Sequence, residues 1–443
     1  MVSSVTVIMP YVAITLLVVC CTNFRWSLSQ WLLKNLITCR VPTKEQIADQ
    51  KKREHVQAIE QNPSLRKKSF KKTDGPEEQL MLIPTAPEGL LQRVFFSEFD
   101  RLVFFVSVVA ANLMLVQVLY LVQPEKRAQN GGVVLTCFAV VAAATAVSSL
   151  YRTQSNRLLT PAFERTLGQL AGGGSALCSL VVLFAIPSEF LDFELEQATA
   201  AFNKSLKSMH AQVPEIPVAL LMGTLPIVAG ILGGVAVAPA VRAVRCYMLA
   251  TSPPDWAEGQ LTKSFMTKAS FHLNMVVPLA VVVLWVRPLV EQPLELSAEL
   301  MVYLRAGATM LAGGLMLAML RPQVQSFLDN GMVVWYENLH GTTTTSNQEK
   351  EKQAQYVRMH LELNNTMLCK AALQMFAPGV ILVSFAALIW QKGVMTNELP
   401  ADTAFLPAIL FKSVFSFLAW WLCCMWTLAS YTTLGMFRYG RLM

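Results

Sequence analysis

Nine long apolar stretches separated by polar connections organise this chain, at residues 5–23, 102–122, 132–150, 169–187, 217–240, 271–290, 301–320, 368–390 and 405–436. Each is long enough to cross about 30 Å of hydrocarbon as an α-helix. The pattern predicts an all-α polytopic membrane protein with about nine transmembrane helices. Three parts follow from it: a first transmembrane helix (1–23), a basic and partly flexible segment (24–100), and a helical bundle (101–443).

Two further helical patterns lie between the spans. Over residues 188–209, Leu191, Leu195, Ala198, Phe202, Leu206 and Met209 recur at helical period, which predicts an amphipathic helix capping the bundle or lying at the interface. Over 321–339, Val324, Phe327, Leu328, Val334, Trp335 and Leu339 predict an interfacial helix resting on the bilayer, within a polar segment of 321–366. A Thr-rich linker, 341–352, follows it. In the basic segment, Thr43-Lys44-Glu45-Gln46 has the look of a capping box opening a short helix.

Composition agrees: 54% of residues are hydrophobic and only 15% charged, far from a soluble globular chain. The charge changes the picture further. Of the 36 lysines and arginines, 28 fall on the side that holds residues 24–101, seven fall on the other, and Lys412 lies inside a span. The positive-inside rule makes that side cytosolic, the amino terminus outer or lumenal and the carboxyl terminus cytosolic, in a plasma or endomembrane. The net charge of +7 therefore points to anionic lipid head groups, met through residues 24–100, and not to nucleic acid.

The outer connection carries the sequon Asn203-Lys204-Ser205, a candidate glycan acceptor, whereas Asn364-Asn365-Thr366 falls on the cytosolic side and should stay bare. The first span has no basic residue ahead of it and no small-x-small site after it, which favours an uncleaved anchor over a signal peptide. None of the nine cysteines is placed for an outer disulfide. Cys20-Cys21 and Cys423-Cys424 are ordinary membrane cysteines or palmitoylation sites. Gly168, Gly172, Gly173, Gly174, Gly230, Gly234, Gly313 and Gly314 mark places where helices can approach closely.

Reaction chemistry is thin. The five histidines form no metal-spaced pair, there is no phosphate loop or nucleophile elbow, and no carboxylate sits mid-span, so neither cofactor nor enzyme activity is expected. What the membrane does hold is positive: Arg287, Arg305 and Lys412, all toward the outer leaflet. Their candidate readings are ion pairs with Glu291, Glu295 and Glu299, snorkelling to the interface, or an anion or lipid-headgroup site. His272 and Asn274 open the sixth span from the cytosolic side as a further polar pair.

Several stretches together resemble the transmembrane protein 161 family of eukaryotic multipass proteins. They include Phe271-His272-Leu273-Asn274, Leu284-Trp285-Val286-Arg287-Pro288, Ala372-Leu373-Gln374, Phe417-Leu418-Ala419-Trp420-Trp421 and Phe190-Leu191-Asp192-Phe193-Glu194-Leu195-Glu196. The chain departs from the animal pattern in lacking a long polar insertion before the last span, and the family position near Lys412 looks like an arginine. The resemblance implies no catalytic activity; animal members are associated with membrane excitability, potassium and calcium currents and developmental signalling. Two expectations result: a non-enzymatic modulator of ion fluxes or of other membrane proteins, or a carrier or channel for an anion or lipid, lined by Arg287, Arg305, Lys412, His272 and Asn274.

Overall fold

The computed structural model describes residues 12, 14–16, 18–19, 27–41, 80–122, 132–209, 214–257, 261, 263–294, 297–340, 347–395 and 408–440. The basic runs at 51–53 and 66–72, the capping-box pattern at 43–46 and most of the first span lie outside them. The residues described between 12 and 19 are helical, and Asn112 Nδ2 donates to Thr15 Oγ1 at 3.4 Å.

Eight helices among the described residues are long and apolar enough to cross a membrane. In chain order the elements are α1 (Leu28–Leu33), β1 (Ile37–Arg40), β2 (Met81–Pro84), α2 (Pro87–Leu90), α3 (Phe96–Val122), α4 (Gly132–Ser155), α5 (Ala162–Ala185) and α6 (Leu195–Met209). They continue with α7 (Val218–Thr251), α8 (Phe265–Leu284), α9 (Arg287–Leu294), α10 (Ala298–Ala318), α11 (Leu320–His340), α12 (Asn347–Thr366), α13 (Leu368–Met395) and α14 (Ala408–Arg438).

Helix α13 is the axis. Every residue from Leu368 to Ile389 is buried, with α3, α4, α10 and α14 packed around it. A helix apolar on all sides has no face to give to lipid once neighbours surround it. At the other extreme, α5 buries little and rests mainly on α7. There the small residues act as read from the sequence: a Cβ on Gly234 would lie 2.9 Å from the Gly168 carbonyl oxygen, and one on Gly230 would lie 3.0 Å from that of Gly172. A second crossing joins α10 to α13, where a Cβ on Gly313 would meet Gly379 O and Val383 N at 2.9 Å. Gly173, Gly174 and Gly314 face open space and play no such part.

Several boundaries differ from the sequence expectation, each for a local reason. The amphipathic helix expected over 188–209 begins at Leu195, because Pro187 ends α5 by forcing Ile186 into an extended conformation. The sixth span stops at Leu284, and a separate short helix, α9, follows with Pro288 in its first turn. The segment read as a bilayer-surface helix is instead enclosed by protein. Val324, Leu328 and Met332 of α11 are buried, and so are Gln323, Ser326 and Asp329 on other sides of the wheel. The linker read over 341–352 is helical from Asn347 onward.

The two-stranded sheet was not foreseen. β1 and β2 pair antiparallel, Ile37 opposite Pro84 and Arg40 opposite Met81. The free edge of β1 is closed by one side chain: Ile37 N donates to Gln325 Oε1 at 2.9 Å, and Gln325 Nε2 donates to Ile37 O at 3.2 Å. Gln325 also donates to Asp329, which pairs with Lys263 at 2.7 Å. Sheet, α11 and α12 thus form one polar-capped unit at the membrane end that carries the basic segment, here called the basic face. Cys39 of β1 is buried there, and loss of solvation with Asp329 nearby pushes its thiol up to about 12.

Gly313→Val is expected to lower the stability of the detergent-solubilised protein by about 1–3 kcal/mol through overpacking, read as thermal unfolding. Gly314→Val, on the open side, changes it by less than about 0.5 kcal/mol. Cys39 stays protonated at neutral pH, so alkylation followed by mass spectrometry should leave it unmodified in the folded protein until the pH approaches its raised value.

Candidate functional site

The expected positive residues do gather, around a loop that sequence reading placed in a helix. Pro187 O accepts from Phe190 N at 3.0 Å, which turns the chain after α5. Asp192 Oδ1 then accepts from the amide of Glu194 at 2.7 Å, a local turn that an aspartate makes readily. Glu194 adopts φ +55°, costing about 1–2 kcal/mol for a residue with a Cβ. Its carbonyl accepts the first bond of α6, from Ala198 N.

Contacts on both sides hold that conformation. Phe193 is buried with its ring edge-on to Phe417, centroids 5.3 Å apart, and 5.5 Å from Trp420. Lys412 Nζ donates to both oxygens of Glu194, at 3.0 and 2.7 Å. Arg287 donates from its amide to Phe190 O and from Nη1 to Ser188 O and Asp192 Oδ2. The Asp192-Phe193-Glu194 tripeptide therefore works as a plug: one ring inserted into α14, with an acid on each side clamping a different cation.

Arg305 completes the group. Its Nε donates to Leu284 O at 3.4 Å and its guanidinium lies 5.5 Å from the centre of the buried Trp285 ring. The cavity lined by Asp192, Glu194, Trp285, Arg305, Lys412 and Ser416 measures about 20 Å³ and is partly open. That is room for about one water molecule.

His272 and Asn274 stand elsewhere. They lie ten or more residues from Leu284 along α8, about 15 Å or more at 1.5 Å per residue. His272 Nδ1 shares a hydrogen bond with Tyr247 OH at 3.0 Å, and Asn274 is buried between helices. The five expected residues thus occupy two depths. Asn203 uses both ends of its amide on Ile216, donating to O at 2.9 Å and accepting from N at 3.0 Å, so a glycan there competes with the bonds that close the α6–α7 connection. In that connection the exposed Lys207 bonds Glu215 and holds its carboxyl below the usual range.

Two acids that meet the cations were not named as their partners from the sequence. Glu291, Glu295 and Glu299, named as acids from sequence proximity, have side chains outside the described residues. Asp192 and Glu194 come from a connection some 90–220 positions away. A second network was also missed, at the basic face. Lys370, 2% exposed, donates to Leu159 O at 3.0 Å and Thr160 Oγ1 at 2.8 Å. Glu164, in the first turn of α5, lies 4.0 Å from Lys370 and 3.7 Å from Arg242 and accepts from Gln374 at 3.4 Å. An acid at the edge of one apolar run facing a lysine at the edge of another was the available signal.

Removing one partner of the Glu194–Lys412 pair strands the other in a half-dry site. Lys412→Met and Glu194→Gln should each cost about 1–3 kcal/mol, and the double variant less than their sum, in a thermal double-mutant cycle. Lys412→Arg, which keeps the charge and reach, should lose little.

A family model described as predicted transmembrane protein 161AB matches residues 2–395. No curated protein and no solved structure matches the chain.

Proposed function

Because the chain belongs to the family described as predicted transmembrane protein 161AB, we propose that it acts as a non-enzymatic modulator of ion currents or of signalling by other membrane proteins. In this reading the basic face is cytosolic, and the outer plug faces the lumen or the exterior. The single observation that carries it is how the intramembrane cations are used. Lys412 and Arg287 are matched by Glu194 and Asp192, around a cavity of about 20 Å³. A carrier needs its charged groups to face a space that its cargo can enter, and here they hold a loop in place.

The buried axis supports the same view. Since α13 is covered along its whole apolar length, the centre of the bundle is occupied by packed side chains. What remains for interaction is the periphery: the lipid-facing side of α5 with Leu170, Leu177 and Val181 exposed, and the polar unit at the basic face.

Purified protein reconstituted in liposomes is expected to pass neither anions nor lipid above the empty-vesicle rate. Photo-crosslinking in native membranes, read by mass spectrometry, should capture a second membrane protein. Flux that disappears with Lys412→Ala would overturn this reading in favour of a carrier.

A further inference from the structure

At the basic face the β1–β2 ribbon and α12 leave a groove of about 390 Å³ between them. Its polar rim is Arg40 from β1 and Arg358, Glu362 and Asn365 from α12; its floor includes Met81 and Ile83 from β2. Both arginine side chains are exposed, and among the described residues neither makes an ion pair. Asn365 is 8% exposed, and its Oδ1 meets no donor among the described residues. Its position is fixed from behind, where Arg93 Nη1 donates to its carbonyl at 2.8 Å.

The depth of the groove narrows what can occupy it. Asn365 lies three residues before Leu368, where the buried apolar run of α13 begins, so the groove opens at the level of the lipid head groups. Two guanidinium groups match phosphate oxygens. An unmet acceptor on Asn365 and the carboxylate of Glu362 call for donors on the same ligand, and the apolar floor suits the carbon skeleton next to the phosphate.

We propose that this groove binds an anionic phospholipid whose head group carries hydrogen-bond donors as well as phosphate, such as a serine or an inositol. Arg40 and Arg358 hold the phosphate, and Asn365 and Glu362 accept from the donors. The site is independent of the functional reading above, since it uses none of the residues of the plug and lies at the other membrane face.

The full-length protein, exchanged into nanodiscs of phosphatidylcholine alone or mixed with phosphatidylserine or a phosphoinositide, can be assayed for retained lipid by native mass spectrometry. Retention of the anionic lipid should fall about fivefold to tenfold in Arg40→Gln and in Arg358→Gln. It should also fall in Asn365→Ala and hold in Arg157→Gln, an exposed arginine of the same face outside the groove. Unchanged melting temperatures establish that the variants are folded. Equal loss in Arg157→Gln would overturn the site in favour of a diffuse basic field. Displacement of the lipid by inorganic phosphate at equal concentration would overturn the lipid assignment and leave a free-anion site.

Discussion

Hydrocarbon offers no hydrogen-bond partner, so every charge drawn into this bundle must be answered from within the chain. That requirement sets the architecture at both membrane faces. On one, Glu194 and Asp192 answer Lys412 and Arg287; on the other, Glu164 answers Lys370 and Arg242. Between these two charged layers runs the apolar column of α13. The acids come from a connection and from a first helical turn, not from the middle of a span, which is why the layers sit at the ends and leave the centre dry.

The spans were legible because burying a helix in lipid demands nothing beyond length and apolarity, a local property of the chain. Their edges were less so. Glu164 falls outside the apolar run that follows it and Lys370 at the edge of another, and nothing local says that the two meet. The surface reading of α11 failed for a related reason: buried Gln323 and Asp329 resemble a solvated face until their partners are known. Pairing of β1 with β2 was beyond reach, since about forty residues separate the strands and neither has more than four residues.

Of the five polar membrane residues named from the sequence, the structure brings three together and sets two apart. Arg287, Arg305 and Lys412 converge, whereas His272 and Asn274 belong to a different level of the same bundle. Sequence distance pointed to Glu291, Glu295 and Glu299, whose side chains lie outside the described residues, and gave no hint of Asp192 and Glu194, because in a folded bundle a facing acid is set by which helix ends share a face. The left-handed Glu194 is the local mark of that arrangement: a residue held off its preferred backbone by what its side chain grips.

The clasp between Gln325 and Ile37 joins parts of the chain 288 residues apart. At ribosomal speeds of roughly 5–20 residues per second, β1 waits on the order of 15–60 s for the side chain that closes its edge. During that interval several spans have already entered the bilayer while an open strand stands beside the translocation machinery, a vulnerable template for unwanted pairing. Maturation of the basic-face unit is consequently a late, post-insertion event, and a chain truncated before α11 would emerge with its membrane helices threaded and this strand left for quality control to recognise.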